Sequence, residues 1–222
     1  MKKVNLVRGI MLMFMLAFSI GASAKYKVGE IYDKDGLKGL IIYVDDSGQH
    51  GLLMSLDCSG DEWLDTSDNK YSTNAFYEDD GEKNMEVIAK FIEENNLSWD
   101  VFPLFKWARS LGDGWYIPAL DELKKLILAI NGDENKFKSG NCKKVHKLLK
   151  KEGGEGLFYK MMGRTDYKTL PCMYTSTEGD NGYVYQMHCA GLFKVKFDYV
   201  LSMKTNALSG KMTVRSRAVH KF

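Results

Sequence analysis

The sequence contains few of the features that divide a chain into separate units. Only 3 prolines occur among its 222 residues, and no stretch rich in glycine, serine and proline separates two halves. Internal repeats and low-complexity tracts are also missing. A chain of this length can build one sizeable hydrophobic core, so a single domain is the simplest organisation.

An excess of either charge is missing as well. The chain has 31 lysines and arginines against 29 aspartates and glutamates. Three of the basic residues and none of the acidic ones fall within the first 24 residues, so the remainder is close to neutral. Nucleic-acid binding requires a basic surface, and we therefore expect no nucleic-acid partner.

Residues 1–24 are typical of a secretory signal peptide. Lys2, Lys3 and Arg8 form a basic start, residues 10–20 form an apolar run, and residues 22–24 form a small-residue cleavage site. The apolar run is shorter than the roughly 20 residues that span a bilayer, although a membrane anchor remains the alternative. We expect cleavage after Ala24 and export to the periplasm, cell surface or exterior, with no integral membrane span in residues 25–222.

The chain has no C-x-x-C motif, but it has 4 cysteines: Cys58, Cys142, Cys172 and Cys189. An even number in an exported protein is typical of two disulfides, for which three pairings exist. Four buried thiols are the alternative.

One pairing follows from the expected geometry of a hairpin. Residues 178–182, Glu-Gly-Asp-Asn-Gly, form the best turn sequence in their region. A turn centred between Asp180 and Asn181 would place Cys172 opposite Cys189, within bridging distance. Cys58 would then pair with Cys142.

The order of the predicted elements indicates an α+β fold with an antiparallel sheet and helices from the middle of the chain packed on it. Residues 40–44 and 51–56 are predicted strands, and residues 57–83 are predicted to form a long polar loop. Helical spacing marks residues 85–92, 102–108, 120–130 and 142–152. Strands are predicted again at 183–189, 193–197 and 213–221.

Three segments resemble one family of exported bacterial domains, the Lcl C-terminal-like domains. Residues 114–123 (GWYIPALDEL), 173–178 (MYTSTE) and 217–222 (RAVHKF) are similar to the family's segments. The resemblance implies a C-type-lectin-like fold, distantly similar to that of the formylglycine-generating enzymes, over residues 25–222. It also implies that residues 28–32 or 40–44 lie beside the terminal strand.

The chain departs from the family pattern at Ala119, where the family has a serine or threonine N-cap. Glu122, three residues later, retains half of a capping box. We therefore expect Ala119→Ser to stabilise the domain by about 0.5–2 kcal/mol. The motif as a whole is interpreted as structural.

No residue set in the sequence specifies a reaction. The histidines lack metal-ligand spacing, and the acidic residues of the long polar loop lack EF-hand spacing. Ser176 lacks a nucleophile-elbow context. Five lysines in the fourth helix form a basic face, which is more typical of a solvated surface than of a polysaccharide-binding one. We expect no catalytic residues, no metal and no cofactor.

Four aromatic residues in the long polar loop are the candidate ligand-binding residues: Trp63, Tyr71, Phe76 and Tyr77. They would stack on sugars or anchor a partner; the equal alternative is that they hold the loop against the domain. The sequence favours an exported, non-catalytic binding or adhesion module for an unknown cell-surface protein or glycan. The alternative is an exported enzyme of unrecognised type on the same fold.

Overall fold

The computed structural model describes residues 25–65, 71–133, 135–136, 138–160, 168–169, 172–190, 196–203 and 214–222. The predicted signal peptide lies outside these residues. Within the described part, no helix is long and apolar enough to cross a membrane.

The chain alternates between strands at its ends and helices in its middle, as the sequence predicted. The helices are α1 (Gly81–Glu94), α2 (Pro103–Ser110), α3 (Leu120–Asn131) and α4 (Ser139–Lys151). The strands are β1 (Ile31–Lys34), β2 (Leu37–Val44), β3 (Gly51–Met54), β4 (Tyr159–Lys160), β5 (Lys168–Thr169), β6 (Met173–Glu178), β7 (Tyr183–Ala190), β8 (Lys196–Met203) and β9 (Val219–Lys221). All strand pairs among the described residues are antiparallel, so the predicted α+β class is confirmed.

The main sheet has the strand order β1-β2-β3-β9 and separates two hydrophobic cores. Ile41 and Leu53 belong to the first core, whereas Leu40 and Met54 belong to the second. This division follows from the alternation of side chains along a strand. The first core also contains Trp63, Phe102 and Phe105, and the second contains Leu123, Leu126 and Ile127 of α3 and Leu149 of α4.

Local sequence signals account for the ends of the helices. The Asp80 side chain caps α1 by accepting a hydrogen bond from the Lys83 amide at 3.2 Å. Pro103 occupies the first turn of α2, where a missing N–H costs nothing. Gly132 ends α3 with φ of 78°, a left-handed conformation that glycine adopts without strain.

The second sheet, β6-β7-β8, contains the predicted hairpin with a shifted register. Its turn is a short 3₁₀ segment, Asp180–Gly182, as expected from the turn sequence. Met173 pairs with Met187. The predicted register required Met173 to pair with His188 instead. The prediction that Cys172 faces Cys189 is therefore wrong by one residue. A bulge between Tyr174 and Glu178 shifts the pairing of β6 with β7.

The C-terminal strand lies in the main sheet, but its direct neighbour differs from the predicted one. Strand β9 pairs with β3, whereas residues 28–32 or 40–44 were expected to lie beside it. The two ends of residues 25–222 nevertheless meet. The Phe222 ring lies 5.1 Å from the Tyr26 ring and 4.9 Å from the Tyr32 ring.

Arg217 attaches this C-terminal segment to two distant parts of the chain. Its guanidinium is buried and donates hydrogen bonds to five backbone carbonyls: those of Ser55, Leu56, Asp57, Glu155 and Gly156. A buried arginine is tolerated only when its donors are satisfied. Burial lowers the pKa of Arg217, and nearby acidic groups partly offset this effect.

Candidate functional site

Two of the three family-like segments meet in a buried polar junction centred on Glu122. Glu122 is 2% exposed. It accepts hydrogen bonds from the Ala119 amide at 2.9 Å, the Gly81 amide at 3.0 Å and the Tyr116 hydroxyl at 2.7 Å. Glu122 therefore caps its own helix, α3, and also the first residue of α1.

Burial decides the electrostatics of this junction. It raises the pKa of Glu122, and the hydrogen bonds from Ala119, Tyr116 and Gly81 only partly oppose the shift. The pKa of Tyr116 is raised too, first by burial and then by the charge of Glu122. The hydroxyl of Tyr116 therefore remains a hydrogen-bond donor to the carboxylate.

Strand β6 joins the long loop to this junction through buried hydroxyl and carboxylate groups. The Thr177 hydroxyl accepts from the Leu120 amide at 3.0 Å and donates to the Tyr77 carbonyl at 2.8 Å. The Glu178 carboxylate accepts from the Thr73 amide at 2.9 Å and the Ser72 hydroxyl at 2.8 Å. These contacts are those expected of a segment with a structural role.

Of the four candidate ligand-binding aromatics, Trp63 is buried, Tyr71 is partly buried, and Phe76 and Tyr77 are exposed. Trp63 is 0% exposed and donates from Nε1 to the Thr175 carbonyl at 3.0 Å. Tyr71 packs edge-on against Phe91. Both hold the loop on the domain, which is the alternative that the sequence left open. Phe76 and Tyr77 are 51% and 45% exposed, so only this pair presents a large apolar surface.

A concave surface lies elsewhere, between α1 and residues 112–116. It is a cleft of about 350 Å³. One wall is lined by Glu82 and Glu86 of α1, and a second by Trp99 and Arg109. The third wall consists of Asp113, Trp115 and Tyr116. Helical spacing in α1 directs Met85 and Ala89 to the same surface.

Aromatic rings and charges are paired around this cleft. The Arg109 guanidinium lies 4.2 Å from the centre of the Trp99 ring, a cation–π contact. Lys221 Nζ lies 2.7 Å from Glu82, 3.5 Å from Asp80 and 5.8 Å from the centre of the Tyr116 ring. Burial lowers the pKa of Lys221, but the two carboxylates outweigh it and raise the pKa overall.

The wall formed by residues 113–115 is held from behind by the C-terminal strand. The His220 ring packs edge-on against the Trp115 ring at 5.3 Å, and its Nε2 lies 3.1 Å from the Asp113 carbonyl oxygen. The Tyr116 amide donates to the Val219 carbonyl at 3.0 Å. This wall is therefore fixed to the main sheet.

The cleft was not predictable from the sequence, because its residues come from four separate segments. Trp99 and Arg109 come together only through the folding of the short connection before α2, and Trp115 was interpreted as part of a structural motif. The available signal was the spacing of Glu82, Met85, Glu86 and Ala89, which places them on one face of α1.

The cysteine environments bear on the predicted disulfides. The Cys58 thiol lies 3.1 Å from the Glu155 carboxylate, beyond the C-terminal end of α4, whereas Cys142 lies in the first turn of α4. The Cys58–Cys142 disulfide stays a prediction.

Comparison with known protein families, curated proteins and solved structures found no match to this chain. Among the described residues, no group of three histidine, cysteine, aspartate or glutamate side chains is arranged to hold a metal ion. The candidate site is therefore defined by the geometry of the cleft.

Proposed function

We propose that this protein is an exported, non-catalytic binding module with a C-type-lectin-like fold, and that the cleft between α1 and residues 112–116 binds its ligand. The observation that carries the proposal is the convergence of Glu86, Arg109, Asp113 and two tryptophans on one concavity of about 350 Å³. Ligand sites are usually concave and combine aromatic surface with a few directed polar groups.

The framework around the cleft supports this role. Tyr116 lines the cleft and also donates to the buried carboxylate of Glu122. The same carboxylate binds the first amide of α1, which forms the opposite wall. The two walls are thus joined beneath the cleft, and such preorganisation lowers the entropic cost of binding.

The proposed setting follows from the sequence. Residues 1–24 support export, and the segments similar to Lcl C-terminal-like domains support the lectin-like fold. The partner is accordingly a cell-surface protein or glycan, and the function is contact or adhesion.

A blocking substitution tests the proposal. Ala89 lines the cleft, so Ala89→Trp would fill much of it. Lys90 is exposed and does not line the cleft, so Lys90→Trp is a matched control on the same helix. Residues 25–222 of the parent and both variants would be applied to arrays of glycans, mucins and bacterial surface components.

Binding that Ala89→Trp abolishes and Lys90→Trp preserves is the expected result. Thermal melting of the two variants verifies that both remain folded. Equal binding by the parent and a folded Ala89→Trp variant would show that the ligand binds elsewhere and would refute the proposed site.

A further inference from the structure

Helix α4 carries five exposed lysines and no acidic residue. At about 3.6 residues per turn and about 1.5 Å per residue, the lysines occupy roughly one third of the helix circumference and about 12 Å of its length. Cys142 and Leu149 of the same helix belong to the second core, so the lysines lie on the outward face. We call this face the lysine stripe: Lys143, Lys144, Lys147, Lys150 and Lys151.

The charge of the lysine stripe is not neutralised within the described part of the chain. Among the described residues, none of the five ammonium groups forms an ion pair, a hydrogen bond or a cation–π contact. Three acidic residues that flank α4 already pair with cations outside the stripe: Asp133 with Lys138, Glu152 with Lys38, and Glu155 with Arg215.

The other three helices pair their lysines. Four of those lysines form ion pairs: Lys83 with Asp80, Lys90 with Glu94, Lys106 with Asp100 and Lys124 with Asp121. The fifth, Lys125 of α3, lies 4.8 Å from the centre of the Tyr43 ring. The lysine stripe is therefore an exception to the way in which this chain arranges its surface charge.

Helix stability does not account for the stripe. Lys150 and Lys151 lie in the last turn, where positive charge is favourable to the helix dipole. The other three lysines have no such role, and like charges three or four residues apart, such as Lys143 and Lys147, repel each other. Helix α4 also has no side-chain N-cap and no acidic residue in its first turn. An anionic partner would relieve this repulsion.

The chemistry of the stripe favours a surface of diffuse negative charge. A lysine ammonium is a point charge, whereas a planar guanidinium binds one carboxylate or phosphate through two hydrogen bonds. The stripe contains no arginine and no aromatic ring, so it offers neither a fork for a single anionic group nor a ring on which a sugar could stack. Anionic lipid headgroups attract exposed lysines through charge alone.

We propose that the lysine stripe holds this domain against an anionic lipid surface as a peripheral contact. The apolar face of α4 is buried in the second core, so the helix cannot insert that face into a bilayer as an interfacial helix does. The contact is therefore electrostatic, reversible and sensitive to salt. No residue of the stripe lines the cleft, so this inference does not rest on the proposed function.

Co-sedimentation of residues 25–222 with lipid vesicles tests the inference. One set of vesicles contains phosphatidylcholine alone, and the other contains equal parts of phosphatidylcholine and phosphatidylglycerol. We expect binding to the mixed vesicles only, and we expect it to weaken as salt is raised. Phosphatidylserine in place of phosphatidylglycerol should give the same binding, because the stripe responds to charge.

Two triple variants with the same change in net charge locate the contact. The stripe variant combines Lys143→Gln, Lys147→Gln and Lys151→Gln, and it should bind the mixed vesicles about ten- to a hundredfold more weakly. The control variant combines Lys83→Gln, Lys90→Gln and Lys106→Gln on other helices, and it should bind as the parent does. The melting temperature of the stripe variant should not fall, because the substitutions remove repulsion and no described contact.

The inference is overturned if the mixed vesicles bind no better than phosphatidylcholine vesicles, or if the folded stripe variant binds them as tightly as the parent. Equal losses in the stripe and control variants would also overturn it, because net charge would then suffice. Stripe-dependent binding to dextran sulfate without binding to the vesicles would assign this face to a soluble polyanion instead. Ala89→Trp should bind the vesicles as the parent does, so the cleft and the stripe can fail separately.

Discussion

Replacing Glu122 measures how much the buried junction contributes to stability. Glu122→Ala removes the acceptor for three buried donors: the amides of Gly81 and Ala119 and the hydroxyl of Tyr116. Each unsatisfied buried donor costs about 1–3 kcal/mol. Removing a buried carboxylate also relieves its desolvation, which offsets part of this loss. We expect a net loss of about 3–5 kcal/mol in unfolding free energy.

Glu122→Gln keeps an acceptor and nearly the same shape. Glu122 Oε2 alone accepts from both backbone amides, so the single oxygen of glutamine can replace it. The glutamine amide can then donate to the Tyr116 hydroxyl. We expect this variant to lose only about 1 kcal/mol at neutral pH. Urea unfolding of residues 25–222 would measure both variants, with Glu93→Gln as an exposed control.

The pH dependence gives the sign of the electrostatic effect. Because burial raises the pKa of Glu122 in the folded state, the folded protein binds this proton more readily than the unfolded chain does. Lowering the pH through the folded pKa should therefore stabilise the parent relative to Glu122→Gln. This gain should be complete below the unfolded pKa of about 4.3. The measured quantity is the difference in unfolding free energy between the parent and Glu122→Gln. If this difference did not change with pH, or shifted in favour of Glu122→Gln as the pH was lowered, the inferred cost of the buried charge would be contradicted.

Three further substitutions test the contacts around the same junction. Thr177→Val should cost about 1–3 kcal/mol, because it leaves the buried Leu120 amide without its acceptor; urea unfolding of Thr177→Ser, which keeps the hydroxyl, provides the comparison. Gly81→Ala should lower the melting temperature, because a Cβ there would lie 2.5 Å from the Ile117 carbonyl oxygen and cause a loss of about 1–3 kcal/mol. Ala119→Ser should give little of the stabilisation that the sequence predicted, because Ala119 is fully buried; a melting temperature several degrees above the parent's would refute this.

Much of the fold was predictable because local signals agreed with the tertiary structure. The hairpin of β2 and β3, the proline at the start of α2 and the left-handed Gly132 at the end of α3 all follow from short sequence patterns. The register of β6 was not predictable, because no local sequence pattern marks the bulge between Tyr174 and Glu178.

The site was less accessible to sequence reasoning than the fold. Trp63 and Phe76 lie in the same polar loop, yet one is fully buried and the other is half exposed. That difference arises from the contacts of Trp63 with Phe102 and Phe105, which no local pattern encodes. The cleft depends on the packing of α1 against residues 99–116, and its residues carry no motif.

The contacts of Arg217 have a consequence for the order in which the chain folds. Its guanidinium binds carbonyls that lie 160–162 residues earlier in the sequence and others 61–62 residues earlier. Contacts across such separations slow folding, because the chain loses loop entropy before it gains them. Strand β3 also lacks its β9 neighbour until this same segment arrives. The edge of β3 therefore stays open until residues 219–221 are available to pair with it, and an open strand edge can pair with other chains during that interval.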